Sequence, residues 1–182
     1  MNDRKTRQDD TTALKSKSSA ATPEKTGPIQ LRTILVPVDF SEFGQKAMDY
    51  AQAFAQQFQA KVVLLHVVEP MVYPENYVAV PTVSDDINQS LMKAAEERLA
   101  VAQTGLGAHG VKCESITRLG RPYFEITEAA KELETDVIIL ATHGYTGLKH
   151  VLMGSTAERV VRHAPCPVLT VRSAEHDFIA QA

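Results

Sequence analysis

The sequence predicts an α/β fold: an open, doubly wound parallel five-stranded sheet in the strand order 3-2-1-4-5, with helices on both faces. Short apolar runs rich in β-branched residues alternate along the chain with longer segments whose apolar residues recur every three or four positions. The first pattern is typical of strands buried on both faces, and the second of amphipathic helices. Strands joined by helical crossovers form a parallel sheet, and the right-handedness of these crossovers restricts the strand order.

The predicted strands are short and mostly apolar. They are Thr33–Val38, Lys61–Val68, Val111–Thr117, Val137–Ala141 and Pro167–Val171. The third is the weakest pattern and is expected at one edge of the sheet. The fifth is expected at the other edge, where an exposed apolar strand favours association unless something covers it.

Helical periodicity fills the segments between the strands. The predicted helices run from the N-cap Ser41 to about Phe58, from Ser84 or Asp85 to about Gln103, from Pro122 to about Glu134, and from Ser155 to His163. Serine is a favoured N-cap, and proline is tolerated in a first helical turn. In the second helix the residues expected to face inward are Ile87, Leu91, Ala94, Ala95 and Leu99. The segment Pro70–Pro81 is expected to be a loop because its prolines interrupt both kinds of pattern.

Length and composition suit one globular domain, with 182 residues of which 44% are hydrophobic. Residues 1–28 are polar, carry a charge of +2 and show no apolar period, so they are expected to form a disordered N-terminal tail. The ordered domain is expected over residues 31–172, and residues 173–182 form a C-terminal tail.

Several classes of protein are disfavoured by composition. The net charge of −3 gives no overall attraction to nucleic acid or to an anionic membrane. No apolar run approaches the roughly 20 residues that span a bilayer, and the polar N-terminus lacks a signal-peptide core. Cys113 and Cys166 are too few for a disulfide framework. The cytoplasm is the expected location.

A glycine-containing turn follows the fourth predicted strand. It holds Gly144 and Gly147, and it leads to Gly154, Ser155 and Thr156 at the start of a helix. Backbone N–H groups at a helix start attract anions, and glycine allows close approach. The alternative is that the first two glycines serve only the loop and Gly154 only packing. We interpret the turn as a phosphate-binding element.

Asp39 directly follows the first predicted strand. In a 3-2-1-4-5 sheet, strands one and four flank the point where strand order reverses, and ligands bind beyond the carboxyl ends of the strands there. Asp39 is therefore expected opposite the glycine turn. The alternative is a solvated carboxylate that interacts favourably with the helix dipole.

Other phosphate-binding folds fit less well. The chain has no Gly-Lys pair, which a P-loop requires. A literal GxGxxG spans residues Gly105–Gly110, but it follows a helix and precedes a strand, so its glycines are expected to end that helix. A receiver domain would need an acidic cluster where Asp39 stands alone, and an aspartate after the third strand, where Thr117-Arg118-Leu119-Gly120 occurs.

The sequence contains no local motif typical of a metal site or of a catalytic nucleophile. The histidines His66, His109, His143, His150, His163 and His176 show no paired ligand spacing. No GxSxG elbow is present. A Mg²⁺ or Mn²⁺ ion would arrive with the phosphates of a bound ligand.

Three separated segments resemble the universal stress protein family. The segment Ala141–Arg172, ATHGYTGLKHVLMGSTAERVVRHAPCPVLTVR, is similar to the carboxyl half of that domain. Ile34–Ala47 is similar to its opening, and Val62–Pro70 to its second strand. The resemblance covers about residues 31–172.

The ATP-binding branch of that family carries G-x2-G-x9-G-[ST]. Here Gly144, the nine residues Tyr145–Met153 and the pair Gly154-Ser155 match the motif, whereas Ala141 occupies the first glycine position. This departure adds a methyl group where the backbone should pass close to ribose or phosphate.

The resemblance also implies roles for individual residues. Pro37, Val38 and Asp39 would meet the adenine or ribose, Val67 would offer backbone groups to the base, and Gly144, Gly154, Ser155 and Thr156 would hold the phosphates. Gly147 would ease the turn within the spacer. His143 is either a ligand or a loop histidine packed on the strand end.

The resemblance implies a homodimer that pairs through the last strand and binds ATP as a signal. We therefore expect a nucleotide-binding stress-response protein acting as a sensor or regulator. The alternatives are a weak ATPase or autophosphorylating protein with Ser155 or Thr156 as acceptor, and a nucleotide-free interaction module of the same fold.

Overall fold

The computed structural model describes residues 27–70, 81–142, 153–172 and 179. Its elements are β1 (Thr33–Pro37), α1 (Glu42–Phe58), β2 (Lys61–Val68), α2 (Pro81–Ala108), β3 (Cys113–Leu119), α3 (Pro122–Glu132), β4 (Val137–Ala141), α4 (Ser155–His163) and β5 (Val168–Val171). Of the tail predicted over residues 1–28, residues 1–26 lie outside the described residues. The C-terminal tail lies outside them except for residue 179, as does most of the loop after Pro70.

The strands form one parallel sheet in the order β3-β2-β1-β4-β5, which confirms the predicted topology. Ile34 of β1 lies beside Val62 of β2 and Val137 of β4. Because all strands run the same way, their carboxyl ends meet at one edge. Both predicted edge strands lie at the edges of the sheet.

Helices cover both faces of the sheet. The side chains of Ile34, Val36 and Leu64 point to one face, where they form a core with α1 and α2. Leu35 and Val63 point to the other face and pack against α3 and α4. These five side chains are essentially inaccessible to solvent. Each such burial contributes about 1.5–3 kcal/mol, which is why the strands are recognisable as apolar runs.

Helix α1 begins as the sequence predicts. Ser41 is the N-cap in an extended conformation, and its hydroxyl oxygen accepts a hydrogen bond from the amide of Gly44. This bond satisfies one of the amides that an α-helix leaves unpaired at its start. The helix therefore starts immediately after Asp39 and Phe40, and it fixes where these two residues leave β1.

Helix α2 is longer at both ends than the sequence predicts. It begins at Pro81, continues through Gly105 and Gly107, and ends at Ala108. Gly110 has a φ of +78° and terminates it: its amide bonds the carbonyl of Gly107, and the amide of Val111 bonds that of Leu106. This is a Schellman motif. Of the three glycines expected to end the helix, only Gly110 does so.

The last turn of α2 forms because one side chain anchors it. Leu106 is buried and packs with Val111 in the core, whereas a Cβ added to Gly105 or Gly107 would meet nothing within 4 Å. Packing of Leu106 outweighs the weak helix propensity of its two neighbours.

The expected inward face of α2 is partly wrong. Ala95 and Leu99 are buried as predicted, but Leu91 is 39% exposed and Ala94 is also exposed. Among residues 85–108 of this helix, the buried side chains all lie in the carboxyl-terminal half. Small boundary differences occur elsewhere: β1 ends at Pro37, β3 runs from Cys113 to Leu119, α3 ends at Glu132 and β5 begins at Val168.

No helix within the described ranges has the combined length and apolarity that crossing a membrane requires.

Candidate functional site

A cavity of about 430 Å³ opens at the carboxyl edge of the sheet. It lies where β1, β2 and β4 end and where α3 and α4 begin. Eight residues that the sequence singled out line it together: Pro37, Val38, Asp39, Val67, Ala141, Gly154, Ser155 and Thr156. His143, Gly144 and Gly147 lie outside the described residues.

The Asp39 carboxylate is held by the turn that follows it. Its Oδ1 accepts hydrogen bonds from the amide of Ser41 at 3.1 Å and from the Ser41 hydroxyl at 2.6 Å. Since the same hydroxyl accepts from the amide of Gly44, one serine links the carboxylate to the first turn of α1. The carboxylate thus has a fixed place at the rim of the cavity.

Gly44 permits that placement. A Cβ at this position would lie 3.0 Å from Oδ1 of Asp39, closer than ordinary van der Waals contact. Gly44 also lines the cavity. It was not predicted as a site residue, because a single glycine in a first helical turn carries no pattern of its own.

The start of α4 forms another part of the cavity wall. Gly154 is its N-cap residue, with an extended backbone and no side-chain capping bond. The amide of Gly154 bonds the carbonyl of Thr142 at 2.7 Å, and its own carbonyl accepts the first helical bond, from Glu158. Amides of the next three residues point out of the helix end, and Ser155, Thr156 and Ala157 all line the cavity. This is the geometry of an anion site at a helix N-terminus.

The two helix starts that flank β1 and β4 differ in capping. Ser41 caps α1 with its own side chain, whereas α4 receives no such bond. A helix whose first amides are not capped by a side chain needs water or a ligand there. Of these two helices, α4 is the one without a side-chain cap, and its start lines the cavity together with Asp39; the start of α3 also has no side-chain cap.

A third part of the wall is apolar. Val67 at the end of β2, Pro122 at the start of α3, and Ile126 one turn later contribute side chains to it. Pro122 also has no amide hydrogen, so this helix start offers one donor fewer than α4. The wall suits a flat apolar group better than a charged one.

Other lining residues were not predicted as site residues. In addition to Gly44, they are Leu65, His66, Glu69, Pro122, Ile126, Leu140, Thr142 and Ala157. His66, Glu69 and Thr142 follow or end strands at the same edge as Asp39, a signal that was present in the strand assignments. Pro122 and Ile126 reach the cavity only through the packing of α3 on the sheet.

Ala141 ends β4 next to Val171 of β5. It lines the cavity and also packs against the core cluster beneath α1 and α2. The methyl group that distinguishes this position from glycine is therefore at the boundary between the cavity and the core.

Two titratable cysteines lie away from the cavity lining. Burial raises the pKa of the Cys113 thiol to about 11, with a further contribution from the Glu114 carboxylate. Burial also raises the pKa of the Cys166 thiol. Neither thiol is activated for nucleophilic chemistry, because the reactive form is the thiolate. Within residues 27–70, 81–142 and 153–172, no group of three or more His, Cys, Asp or Glu side chains has the arrangement of a metal site.

Known proteins share both the sequence pattern and the fold. The model of the universal stress protein family matches residues 30–172. Universal stress protein MJ0531 of Methanocaldococcus jannaschii is 34% identical over 143 residues, which is 78% of this chain and 82% of that protein. The structure of universal stress protein UspA from Lactobacillus plantarum superposes with a TM-score of 0.72 at 30% identity, covering 80% of this chain and 100% of that one.

A more distant structure shares the fold. It is the universal stress protein from Archaeoglobus fulgidus in complex with dAMP, with a TM-score of 0.55 at 19% identity over 79% of this chain and 98% of that one.

Proposed function

This chain belongs to the universal stress protein family, and we propose that it binds ATP in the cavity described above and acts as a sensor or regulator. ATP serves as a signal whose binding orders the site, and rapid turnover is not required for that role. One observation carries the proposal. The start of α4, which has no side-chain cap, and the Asp39 residue line the same cavity.

The three parts of the wall match the three parts of a nucleotide. The volume of about 430 Å³ lies within the range of small-molecule sites. The apolar wall of Val67, Pro122 and Ile126 suits the faces of an adenine ring. Asp39 is an acceptor for a ribose hydroxyl, and the amides that follow Gly154 are donors for phosphate oxygens.

The arrangement of charge supports this orientation. A carboxylate repels phosphates, so the triphosphate is expected away from Asp39 and against the start of α4, where the helix dipole is positive. A Mg²⁺ or Mn²⁺ ion that neutralises part of the phosphate charge would enter with the nucleotide. The Archaeoglobus protein in complex with dAMP is a protein of this fold that holds an adenine nucleotide.

Assembly is part of the proposal. β5 pairs with β4 on one side and forms an edge of the described sheet. Pairing of β5 with its counterpart in a second copy would cover that edge, so we propose a homodimer. The proposed location is the cytoplasm.

A second function is favoured by the position of one hydroxyl group. Ser155 is exposed at the cavity, at the helix start where phosphates are expected. It is therefore the candidate acceptor if the protein transfers a phosphoryl group to itself, with Thr156 next to it. Intact mass measurement after incubation with ATP, for the wild type and Ser155→Ala, tests this alternative. A mass increase of one phosphoryl group that Ser155→Ala abolishes would favour the autophosphorylating protein over the sensor.

Co-purification gives the first test of ATP binding. The purified full chain is denatured, and the released small molecules are identified by chromatography and mass spectrometry. We expect an adenine nucleotide in the supernatant, or, for protein stripped of it, a thermal shift when ATP is added. Failure of both at millimolar ATP would instead support a nucleotide-free interaction module.

A further inference from the structure

Phe40 has a backbone conformation that is unusual for its residue type. It lies between Asp39 and Ser41 with a φ of +60°, in the left-handed region. Side chains with a Cβ are disfavoured there, and an aromatic residue lacks the local hydrogen bonds by which Asn or Asp tolerate it. Such a conformation persists only when the surroundings enforce it. The turn that presents Asp39 therefore depends on contacts made by Phe40.

Two side chains from other elements contact the Phe40 ring. The guanidinium carbon of Arg98, on α2, lies 3.9 Å from the ring centroid. The imidazole of His66, on β2, lies with its centroid 4.6 Å away at an angle of 35°. A guanidinium over an aromatic face is attracted by the ring quadrupole and is weakly hydrated, so it holds this position even when exposed.

His66 connects this stack to the cavity. Its Nδ1 lies 2.7 Å from the carbonyl oxygen of Val38. Because a carbonyl oxygen only accepts, Nδ1 carries the hydrogen in this contact. The amide of Val38 in turn bonds the carbonyl of Leu65, so β1 stays paired with β2 up to the residue before Asp39. Phe40 is thus held from the β2 side as well as from α2.

Arg98 has a well-anchored backbone. It lies between Ala95 and Leu99, which are 4% and 1% exposed. These two residues fix the rotation of α2 at this point, and Arg98 projects from the exposed side. Arg98 and Phe40 are not among the described residues that line the cavity. Phe40 is adjacent in sequence to Asp39 and contacts His66, and both of these residues line the cavity.

We propose that Arg98 and Phe40 are positioning residues of the nucleotide site. Their stack with His66 holds the β1–α1 turn in the conformation that fixes the Asp39 carboxylate at the cavity rim. The proposal rests on the proposed function, since it assigns these residues to the ATP site. It also extends the site to α2, a helix that no sequence pattern connects with Asp39.

The proposal is tested by substitutions of Arg98 that remove or retain the positive charge while keeping a long side chain. Arg98→Gln removes the cation, Arg98→Lys retains it, and Lys93→Gln is a matched control that removes an exposed cation from the same helix. We expect Arg98→Gln to raise the dissociation constant for ATP about three- to tenfold, the effect of losing one cation–π contact. Arg98→Lys should recover only part of the affinity, because an ammonium group is more strongly hydrated than a guanidinium, and Lys93→Gln should match the wild type. The urea midpoint of Arg98→Gln should fall slightly, because the contact is present in the free protein, whereas that of Lys93→Gln should match the wild type.

Phe40→Leu and Phe40→Gly test the role of the aromatic ring. Leucine keeps an apolar side chain without an aromatic face, whereas glycine relieves the positive φ and leaves the turn unconstrained. Both variants are expected to bind ATP more weakly. Phe40→Gly should do so with little loss of stability, because removal of the strain offsets removal of the ring.

NMR of the apo protein tests positioning independently of ATP. Arg98→Gln should shift the amide signals of Asp39 and Ser41 and the ring signals of His66, whereas Lys93→Gln should leave them in place. If Arg98→Gln leaves these signals unmoved, the positioning role is overturned whether or not ATP binds. If ATP binds the wild type and Arg98→Gln equally well, it is overturned as well. If the signals shift but the wild type binds no ATP, the positioning role stands and the proposed ligand is wrong.

Discussion

The amide nitrogen of Gly154 lies 2.7 Å from the carbonyl oxygen of Thr142. This hydrogen bond joins the start of α4 to the residue after β4, and it consumes the Gly154 amide. The amides offered to the cavity are therefore those of the residues that follow. A Cβ at Gly154 would lie 3.3 Å from the same carbonyl oxygen, which is tighter than a usual contact.

Gly154→Ala is expected to weaken ATP binding. The added methyl group pushes the start of α4 away from Thr142, and alanine is a poorer N-cap residue than glycine, so we also expect a loss of about 1 kcal/mol in the free energy of unfolding. Calorimetric titration and urea unfolding measure the two effects. ATP binding by Gly154→Ala that equals the wild type would show that the phosphates do not bind at this helix start.

Gly44→Ala should weaken ATP binding without destabilising the fold. The new Cβ would crowd Oδ1 of Asp39 at 3.0 Å and displace the carboxylate. Replacement of glycine by alanine within a helix contributes up to about 1 kcal/mol to stability through helix propensity. Affinity is measured by calorimetry and stability by urea unfolding. A parallel fall in both would instead indicate that Gly44 matters for folding and not for the position of Asp39.

Gly105 and Gly110 should respond to alanine with opposite signs. Gly105 is inside α2 with open space around it, so Gly105→Ala should stabilise the protein by about 0.5–1 kcal/mol. Gly110 has a φ of +78° and ends the helix, so Gly110→Ala should destabilise it by about 1 kcal/mol. Urea unfolding of both variants checks the assignment of the helix end. Equal destabilisation by the two substitutions would mean that the helix stops before Gly105.

The Cys113 thiol should react slowly in the native protein. Its pKa is raised from 9.0 to about 11, so at pH 8 its thiolate fraction is about 100-fold lower than that of an ordinary thiol. We expect iodoacetamide to alkylate Cys113 at least about tenfold more slowly in native Cys166→Ala protein than in the same protein in urea. Native and denatured rates that agree would show that the partly buried position of Cys113 does not protect its thiol.

The raised thiol pKa also has a consequence for stability. The unfolded thiol ionises near 9.0, whereas the folded thiol stays neutral to higher pH. The contribution of the neutral folded thiol is complete below pH 9 and is lost as the pH rises towards 11. Comparison of wild type and Cys113→Ala across that interval isolates it.

The strands and their order were predictable because a parallel sheet buries both faces. Residues such as Ile34, Val63 and Ile138 are completely buried. A strand buried on both faces appears in the sequence as a continuous apolar run, so the runs predict the strands. The handedness of crossovers restricted the strand order to a few possibilities, which included the observed order. Once β1 and β4 were neighbours, Asp39 and Gly154 had to approach each other at one edge, where both line the cavity.

Features that depend on tertiary contacts could not be predicted from the sequence. The end of α2 is set by the buried side chain of Leu106, which outweighs the two glycines beside it. The place of Pro122 in the cavity depends on how α3 packs on the sheet, and the importance of Gly44 appears only with the Asp39 carboxylate next to it. Local sequence propensity contains no information about contacts between residues that are far apart in the chain.

The start of α4 and Asp39 are proposed to hold one ATP molecule between them. Calorimetric titration of nucleotide-free full-length protein with ATP and Mg²⁺, alongside Asp39→Ala, tests this most directly. We predict saturable binding of one ATP per chain, and an affinity at least about tenfold lower for Asp39→Ala, since a hydrogen bond to a charged group contributes about 1.5–3 kcal/mol. No heat of binding and no thermal shift at millimolar ATP, or equal affinity for both proteins, would contradict the account.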